Sequence, residues 1–285
     1  MSKIENIEAL EILDSRGNPT ILTKITLDCG IEAKSSVPSG ASKGENEAIE
    51  LRDEDRKRYS GKGVQKACAI VKSRLLPLLK GMCVFDQVAI DKKMIELDGT
   101  ENKSKLGANS ILSVSTACAK AASLCSKIPL YKYLGGAFAH ILPCPMMNII
   151  NGGVHADNSL DFQEFMVVPW QADTFQQAMQ IAVEIFYKLP DIIRSKNGVV
   201  TMGNYSGYGA PVKDPAVALD ILSAAAEATG YLDKIAFAID CAGSEIYDSK
   251  KDKYRFMDQD IDAKEVIRVV SDLSKKYPIL FVEDI

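Results

Sequence analysis

The chain has 285 residues, of which 47% are hydrophobic and 25% are charged, and its formal net charge is −4 at pH 7. This balance is ordinary for a globular protein, and the acidic excess argues against a surface that binds nucleic acid or anionic membranes. No run of about 18 apolar residues predicts a membrane span, and the charged N-terminus is unlike a signal peptide. The seven cysteines form no Cys-x-x-Cys pair, which favours buried free thiols in a reducing compartment. We therefore expect a cytoplasmic protein.

The first half of the chain predicts a small antiparallel sheet followed by helices. Residues 20–29 alternate in polarity and predict a half-buried strand, and strands at 4–13 and 31–37 would complete a three-stranded meander. The residues expected on the buried side of the middle strand are Ile21, Thr23, Ile25, Leu27 and Cys29. Helices are predicted over residues 45–56, 62–79, 84–97 and 109–126. Asn109 is expected to cap the last helix. Residues 1–138 are thus predicted to form an α+β domain.

From residue 139 onward, strands alternate with longer helices, which is the pattern of βα units. Helices are predicted from residue 174, over 215–229 and over 263–276, and buried strands over 235–241 and 279–284. Asp173 and Gln176 are expected to cap the first of these helices, and Pro190 to kink or end it early. Together with strands at 145–150 and 165–168, this makes about four strands, whereas a TIM barrel has eight. Residues 139–285 are thus predicted to form part of a TIM-like α/β barrel.

The segment from Asn148 to Pro169 gathers polar groups between two apolar runs. A Gly-Gly turn that carries His155 is followed by the adjacent pair Gln163 and Glu164. Because Asn-Gly-Gly is a strong breaker, the flanking runs are predicted to be strands that end and start at this loop. An imidazole, an amide and a carboxylate should therefore lie where two strands meet a loop. Taken alone, the signal is weak, because a loop histidine is more often solvated than catalytic.

Two further carboxylates, Asp240 and Glu283, each follow an apolar strand. A TIM barrel places its chemistry at the carboxyl ends of its parallel strands, and hard carboxylate oxygens suit Mg²⁺. The residues by themselves leave two interpretations open. The carboxylates are metal ligands, or they cap helices and face water. Asp284 is adjacent, but a strand turns its side chain to the opposite face.

These segments, together with the loop 38–42 (Pro-Ser-Gly-Ala-Ser) and residues 97–109, resemble the enolase family. The resemblance runs from Ile7 to the C-terminus and covers the N-terminal two-thirds of the bacterial-type enzyme. It implies Mg²⁺-dependent dehydration of 2-phosphoglycerate to phosphoenolpyruvate in glycolysis, typically by a homodimer. The enolase superfamily is itself a standard example of proton abstraction by a Lys or His base, with one or two Mg²⁺ ions that stabilise the ene-diolate.

The resemblance also implies a role for individual residues. Asp240 and Glu283 match two of the three carboxylate ligands of the tightly held Mg²⁺, and Ser39 matches the loop serine that reaches a second, substrate-linked Mg²⁺. His155 and Glu164 match the active-site histidine and a glutamate beside the proton donor. Gln163 matches an amide that contacts the substrate.

The sequence departs from the family's pattern in two places. The family's proton donor is the glutamate of a Gly-Asp-Glu-Gly-Gly segment, but Asn204 and Tyr205 stand at the Asp-Glu positions here, and no acidic residue lies between Asp191 and Asp214. A phenol with a pKa of about 10 donates a proton poorly to a hydroxide-like leaving group. The third metal ligand and the lysine base of the family would lie beyond Ile285. We therefore expect this polypeptide to be inactive alone or dependent on a partner.

Two other interpretations remain open at this stage. A non-catalytic enolase-like protein would act by binding, for example by pairing with a complete enolase, and the Ser15–Asn18 region resembles the dimer-forming edge of the family. A different Mg²⁺-dependent member of the superfamily is the third interpretation, which the enolase-like segments at 39–42 and 151–156 disfavour. The substitution at Tyr205 favours the non-catalytic interpretation, because a retained working site would keep its acid.

Overall fold

The structure is a computed structural model. It describes residues 2–40, 44, 46–196, 198–203 and 207–285. The chain divides into two compact units, Met1–Ile141 and Leu142–Ile285. Within the part of the chain that the structure describes, none of the helices combines the length and the apolar character needed to cross a membrane.

The first unit contains the predicted antiparallel meander. Its strands are β1 (Ile4–Leu13), β2 (Pro19–Leu27) and β3 (Glu32–Ser36), in the order β1-β2-β3. Alternation decides which face is buried, so Ile21 and Ile25 of β2 are fully buried against the helices. The prediction that Cys29 shares that face is wrong. Cys29 is exposed, because β2 ends at Leu27 and the chain has already turned.

The helices of the first unit pack on one side of this sheet. They are α1 (Gln65–Ile70), which continues through a π-helical turn (Val71–Leu75) into α2 (Leu76–Leu79), then α3 (Gln87–Asp98), α4 (Ala108–Ser126) and α5 (Leu130–Gly135), with a 3₁₀ turn at Tyr59–Gly61. The helices predicted over 62–79, 84–97 and 109–126 are therefore present with boundaries shifted by up to three residues. Helix α4 forms the centre of the unit, because it packs against both β2 and β3.

The helix predicted over residues 45–56 is wrong. The described residues 46–56 are irregular, because their backbone groups pair with distant segments instead of with each other. The Ile49 N–H donates to the Asn102 carbonyl, and the Asp53 N–H donates to the Gly63 carbonyl. Helical propensity is a weak prior that tertiary partners override.

Asn109 does not cap α4, which begins one residue earlier after Gly107. Its amide instead satisfies both backbone groups of Leu51: Oδ1 accepts from the Leu51 N–H at 3.0 Å and Nδ2 donates to the Leu51 carbonyl at 3.1 Å. A buried backbone N–H and C=O need such partners. Asn109 therefore holds the irregular segment in place by hydrogen bonds to Leu51.

The second unit is built on an open six-stranded sheet in the order β12-β8-β5-β4-β7-β6. The strands are β4 (Met147–Asn151), β5 (Glu164–Val168), β6 (Thr201–Met202), β7 (Tyr208–Gly209), β8 (Ala236–Asp240) and β12 (Ile279–Glu283). Four of them have five residues each and match the four predicted strands. Strands β4 and β5 pair directly in antiparallel fashion, so the βα alternation begins only after β5. Within the described residues the sheet does not close, as expected for part of a barrel. A small second sheet contains β9 (Tyr247–Asp248), β10 (Lys253–Phe256) and β11 (Gln259–Ile261).

Helices α6 (Phe175–Ser195), α7 (Pro215–Ala228), α8 (Gly243–Ile246) and α9 (Ala263–Lys276) belong to this unit, with 3₁₀ turns at Gly153–His155 and Leu232–Lys234. Their apolar sides cover the sheet, where Phe162, Phe165 and Phe237 are fully buried. The ends predicted for α7 and α9 are confirmed: Asp214 caps the first, and Asp262 and Glu265 form a capping box on the second.

The predicted cap of α6 is wrong. Its cap is Thr174, whose hydroxyl accepts from the Gln177 N–H at 3.1 Å, while the Gln177 side chain bonds back to the Asp173 N–H. The capping residues are thus displaced by one position from Asp173 and Gln176. Of the two outcomes predicted for Pro190, a kink or an early end, the early end is wrong, because the helix continues to Ser195. The buried side chains of α6 hold the helix together through the proline.

Candidate active site

Three carboxylate residues of the second unit lie in one row across the sheet. Strand register pairs Glu283 with Asp240, Asp240 with Glu164, and Glu164 with Asn151. Because β5 runs antiparallel to its neighbours, its first residue lies beside the last residues of β4 and β8. The sequence therefore brings a strand-starting glutamate to the same edge as two strand-ending carboxylates. The predicted clustering of these polar groups within the unit is present.

His155 reaches this row from the loop between β4 and β5. Its Nδ1 lies 3.0 Å from Glu164 Oε1, and its side chain is buried. The Gly-Gly turn makes this possible, because Gly153 has a φ of +51° and a Cβ on Gly152 would lie 2.4 Å from the Phe162 carbonyl oxygen. Imidazole and carboxyl are thus within hydrogen-bonding distance and can share one proton.

Asp240 is fixed by three contacts. Its Oδ2 accepts from the Gln163 amide at 2.9 Å, its Oδ1 accepts from the Ala242 N–H at 2.9 Å, and its carbonyl accepts from the Gln163 N–H at 2.9 Å. The Ala242 contact lies at the start of the short helix α8. This contact does not cap the helix, because Ala242 precedes α8 and α8 has no side-chain cap hydrogen bond. Asp240 lies in the row that the metal interpretation requires.

The pKa of Glu164 is raised from 4.5 to about 7. Burial is the largest cause, and the negative charges of Asp240 and Glu283 add to it, while a hydrogen bond from Asn148 acts in the opposite direction. A carboxyl group that titrates near neutral pH is suited to give or take a proton. Glu164 is thus a described carboxyl group of this row whose pKa lies near neutral pH.

The residues present fit a Mg²⁺ ion only in part. Asp240 and Glu283 are neighbours in register and offer the carboxylate oxygens that Mg²⁺ prefers. Among the residues that the structure describes, however, no group of three or more His, Cys, Asp or Glu side chains is arranged to hold a metal ion. The described residues thus offer two adjacent carboxylates and no complete metal site, and the charges of Asp240 and Glu283 contribute to the raised pKa of Glu164.

Ser39 belongs to the first unit, where its side chain has protein partners. Its Oγ lies 2.6 Å from Arg52 Nη2 and 3.1 Å from Glu50 Oε2, and the Arg16 guanidinium donates to its carbonyl oxygen. The Gly40 N–H also donates to Glu50, at 3.3 Å. The loop start is thus held by two arginines and a glutamate that sequence reasoning missed. Charged residues around a Gly/Ser loop were the available signal.

Tyr205, named from the sequence at the position of the proton donor, lies outside the described residues. The structure adds Asn151 to the row of polar residues, where it pairs in register with Glu164. The sequence indicated Asn151 only as part of a strand-breaking triplet. Its fully buried amide lies between Gly203 and Gly207: a Cβ on either glycine would lie 2.3 Å from an atom of that amide. The Asn-Gly-Gly triplet drew attention to Asn151, but its contacts with Gly203 and Gly207 could not be predicted, because these glycines lie far along the chain.

The fold and the site together define a protein in which an α+β unit precedes part of an α/β barrel with acidic groups at one sheet edge. Residues 4–134 match the family model of the enolase N-terminal domain, and residues 139–285 match that of the enolase C-terminal TIM barrel domain. These matches extend over more than half of the chain, so the chain belongs to the enolase family. The predicted family and fold class are confirmed.

Proposed function

We propose that the chain carries an enolase-type site for 2-phosphoglycerate and Mg²⁺, and that this polypeptide alone does not turn the substrate over. The observation that carries the proposal is the row Glu164–Asp240–Glu283 with His155 and Gln163 on it. It combines proton-transfer groups and hard oxygen ligands at one edge. The reaction class is removal of a C2 proton followed by loss of the C3 hydroxyl, which yields phosphoenolpyruvate.

The chemistry explains why such a row is useful. The C2 proton is weakly acidic because its neighbour is a carboxylate, so its removal creates a dianion. Mg²⁺, when bound, supplies the charge stabilisation that this dianion requires. In the proposed site Asp240 and Glu283 would hold the ion and Gln163 would contact the substrate. Without the ion the pKa of Glu164 is about 7, and a bound cation would lower it by offsetting the charges of Asp240 and Glu283.

The proposed inactivity rests on the proton donor. Asn204 and Tyr205 stand where the family pattern has Asp-Glu. The phenol of tyrosine has an ordinary pKa of about 10, and loss of a general acid typically lowers a rate by about 10²–10⁴. Two carboxylate ligands alone would bind Mg²⁺ weakly, so most molecules would lack the ion at low Mg²⁺ concentration. This weak binding is a second reason to expect an inactive chain.

A second candidate function is binding without catalysis, with a second copy or a complete enolase as partner. One observation favours it: Asn204 and Tyr205 stand where the family pattern has Asp-Glu, and a retained working site would keep its acid. Light scattering on the chain alone and mixed with a complete enolase tests this, and unchanged masses in both samples would reject it. We propose a cytoplasmic location for either function.

The deciding experiment measures binding and turnover on the same folded sample. Circular dichroism first establishes that the chain is folded, and a complete enolase serves as the assay control. We expect calorimetry to detect weak Mg²⁺ binding, reduced about tenfold or more in Asp240→Asn, and we expect no phosphoenolpyruvate to form. Turnover that EDTA abolishes would overturn the inactivity. Mg²⁺ binding that is equal in Asp240→Asn would overturn the metal site, and Asp248→Asn is the matched control.

A further inference from the structure

Two cysteines of the first unit meet at one serine hydroxyl. Ser2 Oγ lies 3.4 Å from Cys29 Sγ, to which it donates, and 3.0 Å from Cys125 Sγ. Cys29 lies in the turn between β2 and β3, and Cys125 lies in the last turn of α4. The two thiols are far apart in sequence but adjacent in space, and neither belongs to the candidate active site of the second unit.

The contact is held by surrounding backbone bonds. The Lys3 N–H donates to Asp28 Oδ1 at 2.9 Å, and the Asp28 N–H donates to the Lys3 carbonyl at 3.0 Å. The Val84 N–H donates to the Ser2 carbonyl at 3.1 Å. Ser2 is therefore fixed against the turn that carries Cys29, and its hydroxyl is directed to the two sulfur atoms.

Cys29 differs from other thiols of the chain in its electrostatic surroundings. The Ser2 hydroxyl, followed by the Ile31 N–H and the Cys125 thiol, holds the pKa of Cys29 below its ordinary value. Burial instead raises the pKa of Cys118 to about 12 and that of Cys144 above its ordinary value. Cys29 is also exposed, whereas Cys125 is partly buried. An exposed thiol of lowered pKa beside a second thiol is the arrangement of a redox-responsive pair.

We infer that Cys29 and Cys125 are a modification site at which a peroxide forms a reversible disulfide, with Ser2 as a positioning residue. The Cys29 thiolate attacks one peroxide oxygen, the O–O bond breaks, and with one proton from solvent this yields a sulfenic acid and water. The Cys125 sulfur then attacks the sulfenic sulfur, the S–O bond breaks, and a second water leaves with the thiol proton. The two sulfurs lose two electrons and the peroxide gains them. A dithiol reductant reverses the step.

The location allows the two sulfurs to move together to an S–S bond length of about 2.05 Å. One cysteine is at a turn and the other is near a helix terminus, where backbone adjustment is easier than inside an element. The disulfide would link the β2–β3 turn to the C-terminal end of α4. Helix α4 already packs against both of these strands. We therefore expect it to stabilise the native first unit, as closure of a long loop does.

The test uses the full chain, reduced and then exposed to hydrogen peroxide. Peptide mapping by mass spectrometry without reductant should find one linked peptide pair joining Cys29 to Cys125, with the mass of two hydrogens lost, and dithiothreitol should reverse it. The oxidised chain should melt about 5 °C or more higher. In Cys125→Ser, dimedone should label Cys29 as a sulfenic acid. Cys144→Ser, which removes another exposed thiol, should leave the linkage unchanged.

A second measurement separates positioning by Ser2 from simple proximity. The pH profile of Cys29 alkylation by iodoacetamide should shift upward in Ser2→Ala, with a rate about 3–10-fold lower at pH 7, and Ser2→Thr should restore it. A natively folded chain that yields no linked Cys29–Cys125 peptide would overturn the pair. An alkylation profile of Cys29 that is unchanged in Ser2→Ala would overturn the role of Ser2.

Discussion

Replacing Glu164 by glutamine should make the chain's stability less dependent on pH. Glutamine keeps the size and hydrogen-bonding capacity of the side chain but cannot ionise. In the folded protein the pKa of Glu164 is raised from 4.5 to about 7, first by burial and then by Asp240 and Glu283. The folded state therefore holds the proton more tightly than the unfolded state between pH 4.5 and 7. The free energy of unfolding falls as pH rises through this window.

The size of the effect follows from the two acid constants. A pKa shift of one unit corresponds to about 1.4 kcal/mol. Because the pKa of Glu164 rises from 4.5 to about 7 on folding, full ionisation of this group costs the folded chain about 3 kcal/mol above pH 7. Because its side chain is 19% exposed, some of this cost is screened by water, and about 2–3 kcal/mol is the expected range. Glu164→Gln should thus gain that much relative to the parent chain between pH 5 and pH 8.

Urea unfolding at pH 5, 6, 7 and 8 measures the difference directly, with far-UV circular dichroism as the signal. Glu227→Gln, at an exposed glutamate of α7, is the matched control and should show no such pH-dependent gain. If Glu164→Gln and the parent chain differ by the same amount at every pH, within about 0.5 kcal/mol, the argument from burial and neighbouring charge is wrong. Saturating Mg²⁺ at pH 8 should recover part of the parent's stability, because a cation near Asp240 favours the ionised carboxyl.

Two further predictions concern the backbone of the second unit. In Gly207→Ala the new Cβ would lie 2.3 Å from Asn151 Oδ1, so unfolding in urea should become easier by about 1–3 kcal/mol. Gly44→Ala, whose nearest contact would be 3.6 Å, is the control, and equal losses in both would contradict the steric reasoning. Pro190→Ala restores a helical N–H inside α6 and should raise the free energy of unfolding by about 1–3 kcal/mol, whereas Pro215→Ala at the first position of α7 should not. Equal changes in the free energy of unfolding for the two replacements would contradict the argument that a proline inside a helix costs more than one at its first position.

The candidate site was predictable only as a list of residues. Asp240 and Glu283 end strands, Glu164 begins one and His155 follows a Gly-Gly turn. Resemblance to a family implied their roles. Their side-by-side order could not be read from the chain, because it depends on β5 running antiparallel between two other strands. The raised pKa of Glu164 is a consequence of that order, since its neighbours' charges act over a few ångströms.

The irregular segment at residues 46–56 is a second case in which contacts distant in sequence could not be predicted from the chain. Its composition favours a helix, but Asn109 and other groups elsewhere in the first unit supply the backbone partners that a helix would have supplied. The Ser2 contact with Cys29 and Cys125 is likewise invisible in the sequence, where the three residues are dispersed. Such pairings depend on side chains brought together by packing.

The sequence by itself determined the family, the three-stranded meander, the ends of α7 and α9 and the four main strands of the second unit. These features depend on local signals: apolar periodicity, capping residues and turn residues act within a few positions of where they stand. Only the tertiary structure decided that Pro190 is accommodated within α6, that Cys29 is exposed and that Glu164 lies beside Asp240. Each of these outcomes is set by burial and by partners distant in sequence, whose free energies outweigh local preference.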